Sequence, residues 1–296
     1  MRIRDWRHAE PPAVEALYEA ERRQWLDDLG WDTADAWSEI EGARTAGRLP
    51  GLLAVDDGGS ICGWTYFLID DRVAQVGSLV GTSADATRAL IDSVLARAAG
   101  HAESVTCFSY TKAPGLEAAL TARGFEITRY HYLSRTANPL DPFRPDGAET
   151  WRDEDEPAAG DLLRAAYGSN GRFFAAHGLP REWHHYVHNL VAYPGCGRFD
   201  RTATRVLRED GRMTAIVMMT ALGPGVAHVA QVAVHPDRRG QGLAGKLLER
   251  ALAMSHAVGR SRATLLVEEG AGAARTLYAR LGFRPCATFI AARRDL

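Results

Sequence analysis

The feature that most constrains the fold is that the chain is written twice. "WRHAEP", from Trp6, is echoed by "WRDEDEP", from Trp151, and "LTARGF", ending at Phe125, is echoed by "YARLGF", ending at Phe283. Between these pairs "VAQV" stands at Val73–Val76 and again at Val229–Val232. One four-letter match carries little. Three matches in the same order identify a duplication, so whatever fold the chain adopts it adopts twice. The intervening pieces agree: "LLAVDDGGSICGWTYFLI" (Leu52–Ile69) and "TRVLREDGRMTAIVMMT" (Thr204–Thr220) each set apolar runs on both sides of an Asp-Gly turn, the mark of a β-hairpin.

Each half therefore reads in one order: a strand, a helical region, a hairpin, a central strand, a long helix, a strand, a helix, and a last strand after Gly-Phe. The expected class is mixed α/β (α+β), two tandem domains with a central mixed β-sheet flanked by helices in each. "TANPLDPFRPDGAET" (Thr136–Thr150) has three prolines and no periodicity, as a linker does. The expected division is an amino-terminal domain at 1–138, a linker at 139–149 and a carboxy-terminal domain at 150–296.

Composition bounds the function. A chain of 296 residues, 46% hydrophobic, suffices for two medium cores. A formal charge of -2 with acids and bases interspersed leaves no basic field to recruit nucleic acid or an anionic membrane. The amino terminus, "MRIRDWRHAE", is polar, and no apolar run approaches the roughly 18 residues of a membrane span, so the expectation is a soluble, cytoplasmic protein. Cys62, Cys107, Cys196 and Cys286 are far apart, with no C-x-x-C pair, and are expected to be reduced structural thiols.

The chemistry concentrates in "VAVHPDRRGQGLAGKLLERAL" (Val232–Leu252), where a strand of small and β-branched residues breaks into a basic, glycine-studded turn before a helix ended by Gly259. A helix start offers unpaired N–H groups and the positive end of the dipole. Glycines there admit a phosphate to the backbone, and Arg239 adds charge. The spacing is neither G-x-x-x-x-G-K-[ST] nor a G-x-G-x-x-G turn with its ribose-reading acid, which disfavours nucleoside triphosphates and NAD.

The turn resembles the coenzyme A pyrophosphate loop of the GNAT superfamily of N-acetyltransferases, [RQ]-x-x-G-x-[GA], here Arg239-Gly240-Gln241-Gly242-Leu243-Ala244 with Gly245 following. "AVHPDRRG" before it and "LYARLGF" (Leu277–Phe283) after it are also similar to family motifs, so the resemblance covers roughly residues 200 to 292. It implies a parted central strand whose backbone at Val232, Ala233 and Val234 pairs with the pantetheine arm and helps to stabilise an oxyanion. It places a tyrosine that meets the leaving thiolate at Tyr278, where core packing is the alternative role. His228 falls where some histone acetyltransferases carry a glutamate base and arylalkylamine N-acetyltransferase a histidine. An imidazole of pKa near 6.5 can relay the proton of an attacking amine, a water being the other candidate and a satisfied strand-end histidine the plainer reading. Ala271 departs from the family, which often has an asparagine there. Strict alternation puts His228, Ala230, Val232 and Val234 on one face and Gln231, read as structural, on the other. His184 and His188, in a helix candidate at Arg181–Val191, lack a third ligand, so no metal is expected.

The first copy has lost this chemistry. Aligning "RALIDSVL" (Arg88–Leu95) with "GKLLERAL" (Gly245–Leu252) sets Thr82, Asp85 and Thr87 opposite Arg239, Gly242 and Ala244. Aligning Gly124 with Gly282 sets Leu120 opposite Tyr278. A degenerate copy beside a competent one is similar to the layout of mycothiol synthase, whose substrate does not carry over. The resemblance implies an acetyl-CoA-dependent N-acetyltransferase that acts on the primary amine of a small molecule by direct attack in a ternary complex, as monomer or homodimer. A protein or peptide amine as acceptor, or a non-catalytic acyl-CoA sensor, are the alternatives.

Overall fold

The computed structural model describes every residue except Thr111, 137–146 and 169–178. Its elements follow the expected double order. The first copy runs β1 (Arg2–Asp5), α1 (Pro11–Leu29), α2 (Ala34–Thr45), β2 (Gly51–Val55), β3 (Ile61–Asp70), β4 (Val73–Gly81), α3 (Ala84–Ala98), β5 (Ser104–Tyr110), α4 (Leu116–Thr121) and β6 (Glu126–Thr136). The second runs β7 (Glu149–Thr150), α5 (Glu156–Tyr167), α6 (Pro180–Ala192), β8 (Arg198–Phe199), β9 (Arg205–Glu209), β10 (Arg212–Gly223), β11 (Val226–Val234), α7 (Leu243–Ala257), β12 (Arg262–Glu268), α8 (Gly272–Arg280) and β13 (Arg284–Asp295). Most of the linker reading, 137–146, lies outside the described residues, and its end is already strand, at Glu149–Thr150.

The chain forms two compact units whose membership crosses the boundary between copies. One unit holds Met1–Gln24, Ala36–His131 and Thr288–Leu296; the other holds Trp25–Asp35 and Tyr132–Ala287. The elbow between α1 and α2 is thus counted with the second unit, and the end of β13 with the first, where Phe289–Asp295 pairs antiparallel with β5.

In the first unit the strand order is β1-β2-β3-β4-β5-β13. Every residue of β2 is buried, because both faces are covered. Leu52 and Ala54 pack with Leu90 and Val94 of α3 on one side, while Leu53 and Val55 pack with Trp6, Tyr18 and Trp64 on the other. In the second unit the order is β7-β9-β10-β11-β12-β6, with β8 on β10. One face meets α7 and α8 through Val217, Met219, Val229, Leu247 and Tyr278, and the other meets α5 and α6 through Ile216, Met218, Leu163 and Trp183. The β9–β10 hairpin turns at Asp210 and Gly211, both left-handed at φ 50° and 76°, as the twist-matched hairpin turn demands.

The strand registers correct two sequence readings. In β11, Val229 is opposite Met219 and Gln231 opposite Met218, so Ala230 is an extra, bulged residue. A bulge shifts the alternation by one. His228, opposite Thr220, therefore shares the α5/α6 face with Gln231, while Val232 and Val234 turn to the α7 face. The strict alternation that separated His228 from Gln231 fails at this single residue. In β4 the same bulge falls at Gly77, between Val76, opposite Phe67, and Ser78, opposite Tyr66. The equivalent of Val76 is thus Val229, and of Gln75, His228. The identical "VAQV" pair is out of register by three residues, and the true counterpart of Val73–Val76 is Val226–Val229, "VAHV".

Candidate active site

The site begins where β11 parts from its neighbour. Parallel pairing with β12 runs from Val226–Arg262 to Val229–Leu265 and ends there, although β11 continues to Val234 and β12 to Glu268. The bulge at Ala230 sits at the point of divergence. From there to Val234 the strand keeps its partner β10 on one edge only, and strand groups without a ladder partner need another one. One is already met: the Tyr167 hydroxyl, at the end of α5, lies 3.0 Å from the Val232 carbonyl and donates to it, with Gln231 Oε1 2.9 Å away as a second acceptor. Gln231 in turn donates to the Tyr186 hydroxyl on α6. Gln231 is therefore part of a polar network on the α5/α6 face.

Beyond Val234 the chain makes a short 3-10 turn at Pro236–Arg238 and reaches α7 through two left-handed glycines, Gly240 at φ 77° and Gly242 at φ 74°. That conformation costs a side-chain-bearing residue about 1–2 kcal/mol, which explains glycine at both. Gly245 has no such need, since a Cβ there would meet Leu277 Cδ1 at an ordinary 3.4 Å. Among the described residues, no N–H from Gly240 to Gly245 has a hydrogen-bond acceptor, and the Gly242 N-cap has no side chain to supply one. Six successive donors at a dipole's positive end form an anion cradle. Arg239 leads into it, its guanidinium donating to the Ala166 carbonyl. The donor set fits a pyrophosphate.

The first copy lacks this cradle altogether. β4 ends at Gly81, and Ser83 is already the N-cap of α3, its side chain accepting from Ala86 N–H. Where the second copy has seven residues between strand and cap, the first has Thr82 alone. The helix start is closed by its own serine, and Asp85 pairs with Arg88.

Tyr278, on α8, is buried among Leu247, Val229 and Phe283, in the cluster that Val232, Val234 and Leu243 border. Its ring meets Phe283 edge-on, 6.1 Å between centroids. Burial pushes its phenol up to about 12, so it stays protonated and able to donate at neutral pH. Ala271 is the N-cap of α8, and no side chain caps that helix.

His228 is buried on the opposite face. Its Nδ1 lies 2.9 Å from Thr264 Oγ1, and Thr264 itself reaches the Ala227 carbonyl at 3.3 Å. Thr264 also hydrogen-bonds the Tyr132 hydroxyl, and in the neutral tautomer protonated at Nδ1 the imidazole donates to the threonine and keeps Nε2 as its acceptor. Trp31 and Tyr132 flank the ring at 5.6 and 6.2 Å between centroids, and the Tyr132 hydroxyl donates to the Leu29 carbonyl. Burial lowers the imidazole from 6.5 to about 4. The near-neutral ionisation expected from an exposed histidine is thereby displaced. Trp31, Tyr132 and Thr264 escaped sequence reasoning, because Trp31 belongs to the first copy and nothing local marks its elbow as part of the second unit.

His184 and His188 pair with Asp161 and Glu156 across α5 and α6, at 3.2 and 3.1 Å. Among the described residues no three potential metal-binding side chains converge.

Comparisons with known proteins bear on this arrangement. A model of the acetyltransferase (GNAT) domain matches residues 200–285, the segment holding the parted strand, the glycine turn and α8. A mycothiol acetyltransferase of Clavibacter michiganensis subsp. michiganensis is 31% identical over 217 residues, covering 70% of this chain and 67% of its own length. Among solved structures, a GCN5-related N-acetyltransferase from Sphaerobacter thermophilus aligns with a TM-score of 0.70 at 18% identity, over 99% of this chain and 95% of its own. A tandem GNAT protein from the clavulanic acid biosynthesis pathway aligns at 0.55 and 20% identity, over 83% and 82%. The two-copy fold, the parted strand and a relative of this similarity lead to one conclusion: the chain belongs to the GNAT superfamily and is an N-acetyltransferase.

Proposed function

We propose that the second copy transfers the acetyl group of acetyl-CoA to the primary amine of a small molecule, by direct attack in a ternary complex. The observation that carries this reading is the run of six unaccepted N–H groups from Gly240 to Gly245 beside a strand parted from its neighbour. These donors and Arg239 hold the pyrophosphate, and the Val232–Val234 backbone receives the pantetheine amides, exchanging the Tyr167 hydroxyl for a ligand N–H at the Val232 carbonyl. Bound acetyl-CoA supplies an activated thioester. Attack forms the C–N bond and breaks C–S, so a proton must leave nitrogen and negative charge must be met at sulfur.

Tyr278 meets the sulfur as a hydrogen-bond donor. With its phenol near 12 against about 8.5 for a thiol, full proton transfer is uphill by several kcal/mol, and donation without transfer is the step its environment favours. His228 works as a neutral acceptor. An imidazole near 4 does not strip an ammonium of pKa about 10, so the amine enters as its free base, its first proton lost to solvent; His228 then takes the remaining proton through Nε2, directly or by a water, once bond formation has made the nitrogen strongly acidic. Trp31 and Tyr132 keep it neutral. The relative's name, mycothiol acetyltransferase, supports a small-molecule acceptor.

The test is an amine-library assay following free thiol release from acetyl-CoA, with small amines set against peptides. Turnover with small amines is the expected outcome; turnover confined to peptides, or binding without turnover, overturns the reading.

A further inference from the structure

The first unit carries a carboxylate that acetyl transfer does not use. Glu21, on α1, accepts from the Ser78 hydroxyl at 3.1 Å. Ser78 follows the Gly77 bulge, in the stretch where β4 has parted from β5: their parallel pairing ends at Val76–Cys107, although the strands run on to Gly81 and Tyr110. Because Ser78 is opposite Tyr66, both side chains face α1, and Tyr66 shares in the Ser78 hydrogen bonding.

The second unit has a hydrogen bond in the same place, with donor and acceptor exchanged. Gln231, the first residue after its bulge, meets Tyr167 on α5, the helix that repeats α1. Both copies thus span the parted strands from the first helix to the first residue past the bulge. In the second copy two neutral groups do this; in the first, an acid does.

Among the described residues no cation acts on that acid. On its own helix, Arg22 is held by Glu19 and Arg23 donates to the Glu19 carbonyl. From the packed elements it is faced by Ser78 of β4 and by the phenol of Tyr66 of β3, which in turn neighbours Tyr18 of α1. Burial raises the carboxyl from 4.5 to about 7, opposed only by the Ser78 bond. Among the described residues, Glu21, Ser78 and Tyr66 thus bring three oxygen functions together with no positive charge acting on the carboxyl. Tyr18 also packs on Trp37, 4.7 Å between centroids, and on Trp64 at 6.4 Å, and such π faces attract cations. A primary ammonium supplies what is missing, three N–H donors and one charge.

We propose that the first unit is a binding site for the ammonium group of a small-molecule amine, held by Glu21, Ser78 and Tyr66. Lacking the pyrophosphate cradle, this copy binds the amine without acylating it and acts as a sensing site. The inference stands on the first unit alone and does not depend on the acceptor assigned to the second.

The test is calorimetric titration of the full chain with benzylammonium at pH 7, in two buffers of different ionisation enthalpy, with benzyl alcohol as the neutral control. A carboxyl half protonated before binding and ionised after it releases about half a proton per ammonium bound. Glu21→Gln is expected to weaken binding by roughly tenfold or more and to abolish the release, with its fold checked by thermal melting. Ser78→Ala keeps the acid and guards against a misfolded Gln variant. Losing the hydroxyl that favours the ionised form should weaken binding severalfold and increase the proton release. Absence of binding at millimolar amine, or binding whose affinity and proton release are the same in wild type and variants, overturns the proposal.

Discussion

At Gly242 the φ of 74° and the open space around its Cα make a narrow experiment possible. Gly242→Asp costs about 1–2 kcal/mol of left-handed strain, meets no neighbouring atom, and sets a carboxylate among the unaccepted N–H donors of the turn. The variant is expected to stay folded and to lose micromolar acetyl-CoA binding in a calorimeter; retained micromolar binding sinks the cradle. If Tyr278 donates to the leaving sulfur, Tyr278→Phe removes only that hydroxyl, and kcat should fall roughly tenfold to a thousandfold with acetyl-CoA affinity little changed. An unchanged rate returns Tyr278 to the core. His228 makes a prediction about pH. Its folded ionisation, about 4, lies below the 6.5 of an exposed imidazole, so the folded state binds fewer protons in the interval. Its contribution to stability is complete above about pH 6.5 and lost as pH falls towards 4, on the order of 3 kcal/mol in all. The melting temperature should drop less between pH 7.5 and 4.5 in His228→Asn than in wild type, and an equal drop would place the imidazole in water.

The bulges are where elements acquire their roles. Gly77 has no room for a side chain, since a Cβ there would fall 2.1 Å from Cε2 of Tyr66. Gly77→Ala should therefore destabilise the protein by about 1–3 kcal/mol, seen as a lower denaturation midpoint; a neutral result would show that Tyr66 can yield. The same single-residue insertions mark the limit of what the sequence discloses. The order of elements, both hairpins and the glycine turn are legible because each has a local cause: a 2.0 or 3.6 period, an Asp-Gly pair, glycine before a helix. A bulge has no such signature at Ala230, an ordinary strand residue, so alternation carried through it sends His228 and Gln231 to opposite faces. The identical "VAQV" letters likewise outweigh the correct "VAHV" pairing until strand register is known. The glycine turn, built of neighbouring residues, is readable; the surroundings of His228, gathered from Leu29, Trp31, Tyr132 and Thr264, are not.

For the whole molecule, duplication raises the question of how many acetyl-CoA molecules one chain holds. Both copies keep the parted strand, with pairing that stops at Val76 in one and Val229 in the other. The parted strand is therefore not what separates them. The separation lies in the connection to the next helix. The second copy presents six free N–H groups and Arg239, whereas the first passes from Gly81 through Thr82 to a serine-capped helix start with Asp85 in its first turn. Several negative charges on the ligand then face a closed N-terminus and a nearby carboxylate. At an effective dielectric near 20 that opposition amounts to a few kcal/mol, a hundredfold or more in affinity. Leu120, which stands where the second copy has Tyr278, is likewise buried hydrocarbon. One acetyl-CoA per chain is expected in a titration at micromolar concentration, lost in Gly242→Asp and untouched by substitutions from Leu79 to Thr87 that leave the fold intact. A second equivalent of comparable affinity, abolished by those substitutions, would show that the first copy holds the cofactor by contacts other than a helix start.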